Sequence, residues 1–271
     1  MRYLITCLAL CWTMTAQAAT STPGATEYAY GTDPLQTMDV TPLAGATHAP
    51  ILVMVHGGAW MLGDKTDVTV TEPKRSYFNQ HGGFMFVSVN YRLTPKADAM
   101  AQAWDVAEAL KFIEAHAKEW GGDPSRIIMM GHSAGGHLVT LLGADPAQFG
   151  LKPWAGTVAL DGAAYDVRAI MNRPHHFTYY EPAFGTDPDH WDDASPLAQL
   201  KKGATPFFLV CSYQGPFLCS DAQQFADAAK KLGTPAIVNA EDLEHVEVND
   251  TVGENGAYST AIERFMRHYT K

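Results

Sequence analysis

Ile127-Ile128-Met129-Met130-Gly131-His132-Ser133-Ala134-Gly135-Gly136-His137-Leu138-Val139 is the stretch on which the reading of this chain turns. Four apolar residues, short enough for a buried strand, run into a small polar turn, and the chain then resumes as a helix. Ser133 stands at the corner in the spacing Gly-x-Ser-x-Gly. Glycines on both sides permit a turn so sharp that the serine backbone is strained while its Oγ is held out at the C-terminal edge of a sheet. A serine placed this way is a candidate nucleophile. The same pattern also fits a plain glycine-rich strand-to-helix turn, so the surrounding sequence has to discriminate.

Working outward, residues 51–55 and 84–89 are unbroken apolar runs of the kind found in strands buried on both faces. Residues 35–40 alternate as a strand, and 72–80 have helical character. The longest helical pattern spans 97–120, with Ala103, Val106, Ala107, Leu110 and Ile113 on one face, and stops at Gly121-Gly122-Asp123-Pro124. After the corner come strands at 157–160, 206–210 and 235–238, with helices at 222–232 and 257–269. Strands alternating with helices predict an α/β fold, a mainly parallel sheet covered on both faces, whose ligand site lies beyond the C-terminal ends of the strands. Residues 163–200 break the rhythm and are rich in Pro, His and aromatic residues, which predicts a short lid-like insertion or pocket wall.

The first 18 residues carry one positive charge, Arg2, then an apolar run from Leu4 to Trp12, then Ala16-Gln17-Ala18. This is the layout of a secretory signal peptide cleaved after Ala18, and its apolar run is short for a membrane span. Residues 19–271 then form a single domain, led in by a small, polar and flexible stretch over 19–30. The net charge of -10 disfavours nucleic acid and anionic membranes as partners, and no membrane anchor is expected. Of the four cysteines only Cys211 and Cys219 survive cleavage, and in an oxidising compartment they predict a disulfide. The expected location is therefore periplasmic or secreted.

After the strand at 51–55 comes His56-Gly57-Gly58-Ala59-Trp60, where paired glycines let backbone N–H groups point at one spot, as a developing oxyanion requires. Together with Ser133 this resembles the HGG motif of the α/β-hydrolase fold, specifically the bacterial carboxylesterase and hormone-sensitive-lipase-like branch. That branch writes the motif HGGG or HGGAW, and this chain has the second form. Asn90-Tyr91-Arg92-Leu93 with Pro95, Gly122-Asp123-Pro124 and Ala194-Ser195-Pro196 match the same branch, so the resemblance covers residues 50 to 270. It implies oxyanion donors at the backbone of Gly58, Ala59 and Ala134, with His56 bracing the loop and Trp60 serving as wall or packing.

The resemblance also implies a histidine after the last strand, and His245 has that position and order among the eleven histidines. His132 and His137 flank the corner as packing or wall residues, and His268 sits on a terminal amphipathic helix. His175-His176 lack the cysteine or carboxylate spacing of a metal site. The acid is where the chain departs from the branch. No carboxylate stands near residues 215–217, where it is expected. Asp221 is the only acid in that segment and is taken as the third catalytic member, with Asp161 at the end of the 157–160 strand as its rival and a missing acid as a third alternative.

The expected function is a serine esterase with Ser133, His245 and Asp221 as catalytic residues. It would act on a small-molecule ester, with no cofactor and no metal. Phe177, Tyr179, Tyr180, Phe184 and Trp191 of the insertion are pocket or packing residues. A missing acid would instead favour a catalytically impaired hydrolase fold serving as a binding or scaffold protein. A peptidase of the same fold would need an added domain for which the chain has no room.

Overall fold

Side-chain alternation along the apolar strands sorts the sheet into two buried faces. In β3 (Ala49–Val55), Val53 and Val55 face one core while Leu52 and Met54 face the other. The same division holds for Met129 against Met130 in β5 (Gly122–His132). A strand apolar on both faces cannot lie at the surface, so helices must cover both sides. The computed structural model describes residues 22, 24–215, 219–254 and 256–271. The segment read as a signal peptide and the start of the lead-in lie outside the described residues.

Eight strands form one sheet in the order β1-β2-β4-β3-β5-β6-β7-β8. Besides β3 and β5 they are β1 (Thr26–Ala29), β2 (Thr37–Thr41), β4 (Met85–Val89), β6 (Gly156–Leu160), β7 (Phe207–Ser212) and β8 (Ala236–Glu241). β2 runs against the rest, pairing antiparallel with β1 and with β4, and from β4 to β8 every pairing is parallel. On one face lie α2 (Ala99–His116), α3 (Ala134–Ala144) and α8 (Cys219–Lys231). The other carries α1 (Val68–Lys74), α9 (His245–Asp250) and α10 (Ala257–Tyr269). Four short helices fill the insertion: α4 (Val167–Met171), α5 (Tyr180–Phe184), α6 (Pro188–Asp193) and α7 (Pro196–Gln199). This is the α/β-hydrolase architecture that the sequence predicts.

Three differences from the sequence reading have physical causes. The lead-in expected to be flexible contains β1, because Glu27 pairs with the buried Lys65 at 2.8 Å and Tyr28 packs on Trp120 with ring centroids 4.9 Å apart. Lys65 also pairs with buried Asp39 on β2 at 2.7 Å, so one lysine ties two adjacent strands. The helix expected over 72–80 starts earlier, with Asp67 accepting from the Thr69 amide as N-cap, and widens into a π-helical turn over Arg75–His81. Finally, α9 carries no sequence forecast, being six residues long and closed by a capping box between Glu244 and Glu247.

The insertion is anchored rather than loose. His137 on α3, buried, donates from Nε2 to the Ala194 carbonyl at 2.8 Å and accepts at Nδ1 from Trp60 Nε1 at 3.3 Å. Trp60 is itself enclosed by Tyr180 and Phe184 of α5. The Ser195 hydroxyl accepts from the Val167 amide at 2.8 Å, and Arg168 pairs with Asp192, tying α4 to α6 and to the start of α7.

Burial pushes His137 down to about 4 and His132 down to about 3, so both rings are neutral in the folded state. An unfolded chain protonates them near about 6.5 and so binds more protons below that pH. Their contribution to stability is complete above about pH 6.5 and declines as pH falls through about 5 towards 4. Urea midpoints measured from pH 7 to pH 4 should therefore fall, and His137→Gln should flatten that slope. An unchanged slope in the variant would contradict burial of a neutral ring as its cause.

Candidate active site

Parallel strands end on the same side of the sheet, so the residues just past β3, β5 and β6 are brought together by the topology alone. At the end of β5 the chain reverses within one residue: Ser133 has φ 53° and ψ -116°, and α3 begins at Ala134. Side chains cannot be accommodated on either side. A Cβ on Gly131 would lie 2.3 Å from the Gly135 carbonyl oxygen, and one on Gly135 would lie 2.3 Å from that of Val55. The strained serine is held by its own backbone, whose N–H donates to the Leu160 carbonyl at 3.0 Å.

Past β3, the loop from His56 turns through Gly58, Ala59 and Trp60, all with positive φ. The Gly58 carbonyl accepts from the amides of Met61 and Leu62, closing the turn. The Gly58 and Ala59 amides themselves donate to nothing among the described residues. The Ala134 amide, first in α3, has no intrahelical acceptor. His56 braces this loop, as the sequence reading has it. Its Nδ1 donates to Gly57 O at 2.7 Å, its ring stacks on Tyr91 at 4.4 Å, and Tyr91 Oη donates to the His56 carbonyl at 2.9 Å. Burial holds the His56 imidazole below its ordinary range.

His245 opens α9, and its Nδ1 donates to Asp161 Oδ2 at 2.6 Å. The other oxygen of Asp161 accepts the Ser212 amide at 3.0 Å. Asp161 is buried at the end of β6 in a positive-φ conformation, φ 45°. Ser212 also donates through Oγ to the Leu243 carbonyl, two residues before the histidine, so one residue of β7 holds both the acid and the loop of the imidazole. Beneath the ring, His132 Nε2 donates to the His245 carbonyl at 3.0 Å.

The expectation that Asp221 orients His245 is therefore corrected, because Asp161 occupies that position. Asp221 lies in the first turn of α8 and accepts from Arg173 at 3.3 Å. It lines a neighbouring cavity of about 310 Å³ with Ile170, Arg173, His176, Phe177 and Tyr180. Cys211 and Cys219 are disulfide-bonded and α8 begins at Cys219 itself, so Asp221 stands in the first turn of the helix, two residues past the bridge. The place near residue 215, where the branch keeps its carboxylate, is filled from the adjacent strand: a Cβ on Gly215 would lie 2.8 Å from Asp161 Oδ2. A glycine is what leaves room for the acid of β6.

Ser133, His245, Gly58 and Ala59 line one cavity of about 350 Å³, walled by Trp60, Leu62, His132, Ala163, Tyr179 and Val246. Of the insertion aromatics, Tyr179 alone lines this cavity. Tyr180 and Phe184 are buried against Trp60, Phe177 is exposed beside the second cavity, and Trp191 donates from Nε1 to the Gly185 carbonyl. Ser212 and Gly215 are the residues that sequence reading missed. The glycine standing where a carboxylate is expected was the available signal.

Among solved structures, esterase 2 of Thermogutta terrifontis superposes with TM-score 0.74 at 20% identity, covering 92% of this chain and 95% of that one. Esterase B of Lactobacillus rhamnosis gives 0.72 at 18%, covering 92% and 86%. Two Mycobacterium tuberculosis proteins are 28% identical: LipM, named a probable carboxylic ester hydrolase, over 80% of this chain and 54% of its own length, and the esterase LipQ over 73% and 50%. The chain thus spans about half the length of the curated relatives it matches. The BD-FAE family model matches residues 38–173, from β2 through the HGG loop and the elbow to the end of α4. The α/β-hydrolase resemblance read from those two motifs holds, and the chain belongs to the BD-FAE family.

Proposed function

We propose that this protein is an exported serine esterase that hydrolyses small carboxylic esters through an acyl-enzyme intermediate. One observation carries the reading: the strained Ser133, His245 paired with Asp161, and Gly58 and Ala59, whose amides donate to nothing among the described residues, line a single cavity. With Nδ1 donating to Asp161, the neutral imidazole carries its lone pair on Nε2, where a base must accept a proton. Ser133 Oγ attacks the ester carbonyl as its proton passes to His245. The Gly58, Ala59 and Ala134 amides take the oxyanion, and each such donor is worth about 3 kcal/mol of barrier. The C–O bond of the ester breaks, the alcohol leaves with the proton from His245, and water repeats the sequence on the acyl-serine.

Asp161 holds the protonated imidazole in one orientation, and Trp60, Leu62, Tyr179 and Val246 offer an apolar wall to the acyl or alcohol group. The names of LipM and LipQ support the ester as substrate class. The scaffold alternative drew on an absent acid, and a carboxylate on His245 removes that ground. The signal-like layout of residues 1–18 and the Cys211–Cys219 bridge support export to the periplasm or beyond. The chemistry calls on no cofactor and no metal.

Hydrolysis of p-nitrophenyl acetate and butyrate tests the reading directly. Ser133→Ala should abolish turnover and Asp161→Asn should lower kcat by about 10⁴, whereas Asp221→Asn should leave kcat within about twofold, as expected away from the reacting groups. An Asp221→Asn variant as damaged as Asp161→Asn would return the acid to α8. Because a Cβ at position 215 reaches so close to the present carboxylate, Asp161→Ala combined with Gly215→Asp should recover about tenfold or more of the rate lost in Asp161→Ala. For export, intact-mass measurement of protein recovered from the periplasm or medium should show a chain beginning at Ala19; retention of the first 18 residues would count against it.

A further inference from the structure

The helix α9 begins with His245, so whatever holds α9 also sets where the imidazole ring lies. Three side chains from other elements grip its backbone, one of them Tyr258 of α10, whose Oη donates to the Val248 carbonyl at 2.7 Å. At its start, His132 of β5 donates to the His245 carbonyl at 3.0 Å. At its end, Lys74, the last residue of α1, donates from Nζ to the Asn249 carbonyl at 2.7 Å. That carbonyl belongs to the last turn of a short helix, where a positive charge is favourable, and it also accepts from the Val252 amide at 3.3 Å.

Lys74 is fully buried, 0% exposed, and among the described residues no carboxylate lies within ion-pairing distance of it. Such a lysine is costly: burial pushes it down to about 7, against the opposing pull of Asp250 on α9 and Asp67 at the cap of α1. An apolar side chain would fill the same place without that cost. The surrounding packing leaves α9 little slack. A Cβ on Gly253 would lie 2.1 Å from the Pro73 carbonyl oxygen, and Asn249 Nδ2 reaches the Thr69 carbonyl at 3.4 Å. The two helices are thus tied by side chains on backbone, Asn249 Nδ2 on the Thr69 carbonyl and Lys74 Nζ on the Asn249 carbonyl, and the chain just past α9 abuts the end of α1 at Gly253.

We propose that Lys74 is a positioning residue for catalysis: by holding the Asn249 carbonyl it fixes the seat of α9 and aims the His245 ring at Ser133. This rests on the esterase reading of the site. Lys74 touches neither substrate nor the reacting atoms and acts through the helix that carries the base. Reaction rates are sensitive to shifts of that kind, since a displacement of about 1 Å can cost on the order of a hundredfold.

The full chain carrying Lys74→Met tests this, with Arg75→Met as control, since among the described residues Arg75 pairs only with Glu72, three residues before it. On p-nitrophenyl acetate Lys74→Met should lower kcat by about tenfold with KM within about twofold, while the thermal midpoint stays at or above that of wild type. Arg75→Met should match wild type. In proton NMR the downfield His245 Nδ1–H signal should shift or broaden in Lys74→Met and remain in Arg75→Met. Wild-type kcat and an unmoved signal in Lys74→Met would overturn the proposal. Should Lys74→Met fail to fold, Lys74→Gln, a shorter neutral donor, takes its place with the same expected direction and the same overturning result. If wild type itself turns over no ester, the esterase reading fails, and the NMR signal alone decides whether Lys74 positions the ring.

Discussion

A carboxylate buried at the end of a parallel strand needs a donor for each oxygen, and Asp161 has both: the Ser212 amide on one side and His245 Nδ1 on the other. That shared acceptor joins the ends of three strands. β6 supplies the acid, β7 supplies the amide, and the chain leaving β8 supplies the imidazole. Ser212 closes the triangle by donating to the Leu243 carbonyl. Moving any one of the three strands by a residue would separate groups that chemistry needs within hydrogen-bonding reach, so the parallel register of β6, β7 and β8 is a condition of the site and not only of the core.

The backbone strain in this molecule gathers at the same place. Among the described residues, the non-glycine residues with positive φ are Ala59, Trp60, Ser133 and Asp161, and each belongs to the loop after β3, the turn after β5 or the end of β6. Conformations of this kind cost about 1–3 kcal/mol each and persist only where the surroundings over-determine them. Here the surroundings are the two-sided sheet and a set of neutral buried histidines. His56 braces the loop, His132 holds the carbonyl of His245, and His137 links α3 to Trp60 and to the insertion. All three are kept uncharged by burial, which lets them serve as hydrogen-bonding struts in an apolar setting.

Much of this was legible one residue at a time. The apolar runs of β3, β4 and β5 announce strands buried on both faces, and the glycines around Ser133 and in His56-Gly57-Gly58 mark turns that side chains would block. Helix α10 spans the residues that periodicity assigns to it. What escaped depends on partners distant in sequence. β1 exists because Glu27 meets Lys65 and Tyr28 meets Trp120, and neither partner is visible from residues 19–30. Asp221 looked like the acid because it was the only carboxylate near the expected loop, yet distance along the chain was the wrong measure. Asp161 is 84 residues from His245 in sequence and 2.6 Å from it in space.

The sequence by itself determined the fold class, the serine at the turn after β5, the glycine loop after β3 and the place of His245 after the last strand, because each is written in local pattern: hydrophobic period, glycine placement, position after a strand. The tertiary structure decided which carboxylate meets the histidine. That choice is set by the lateral pairing of β6 with β7 and by the absence of a side chain at Gly215, where a Cβ would lie 2.8 Å from Asp161 Oδ2. A local pattern cannot report such an approach, since it belongs to no single segment and arises only where three strand ends are packed together.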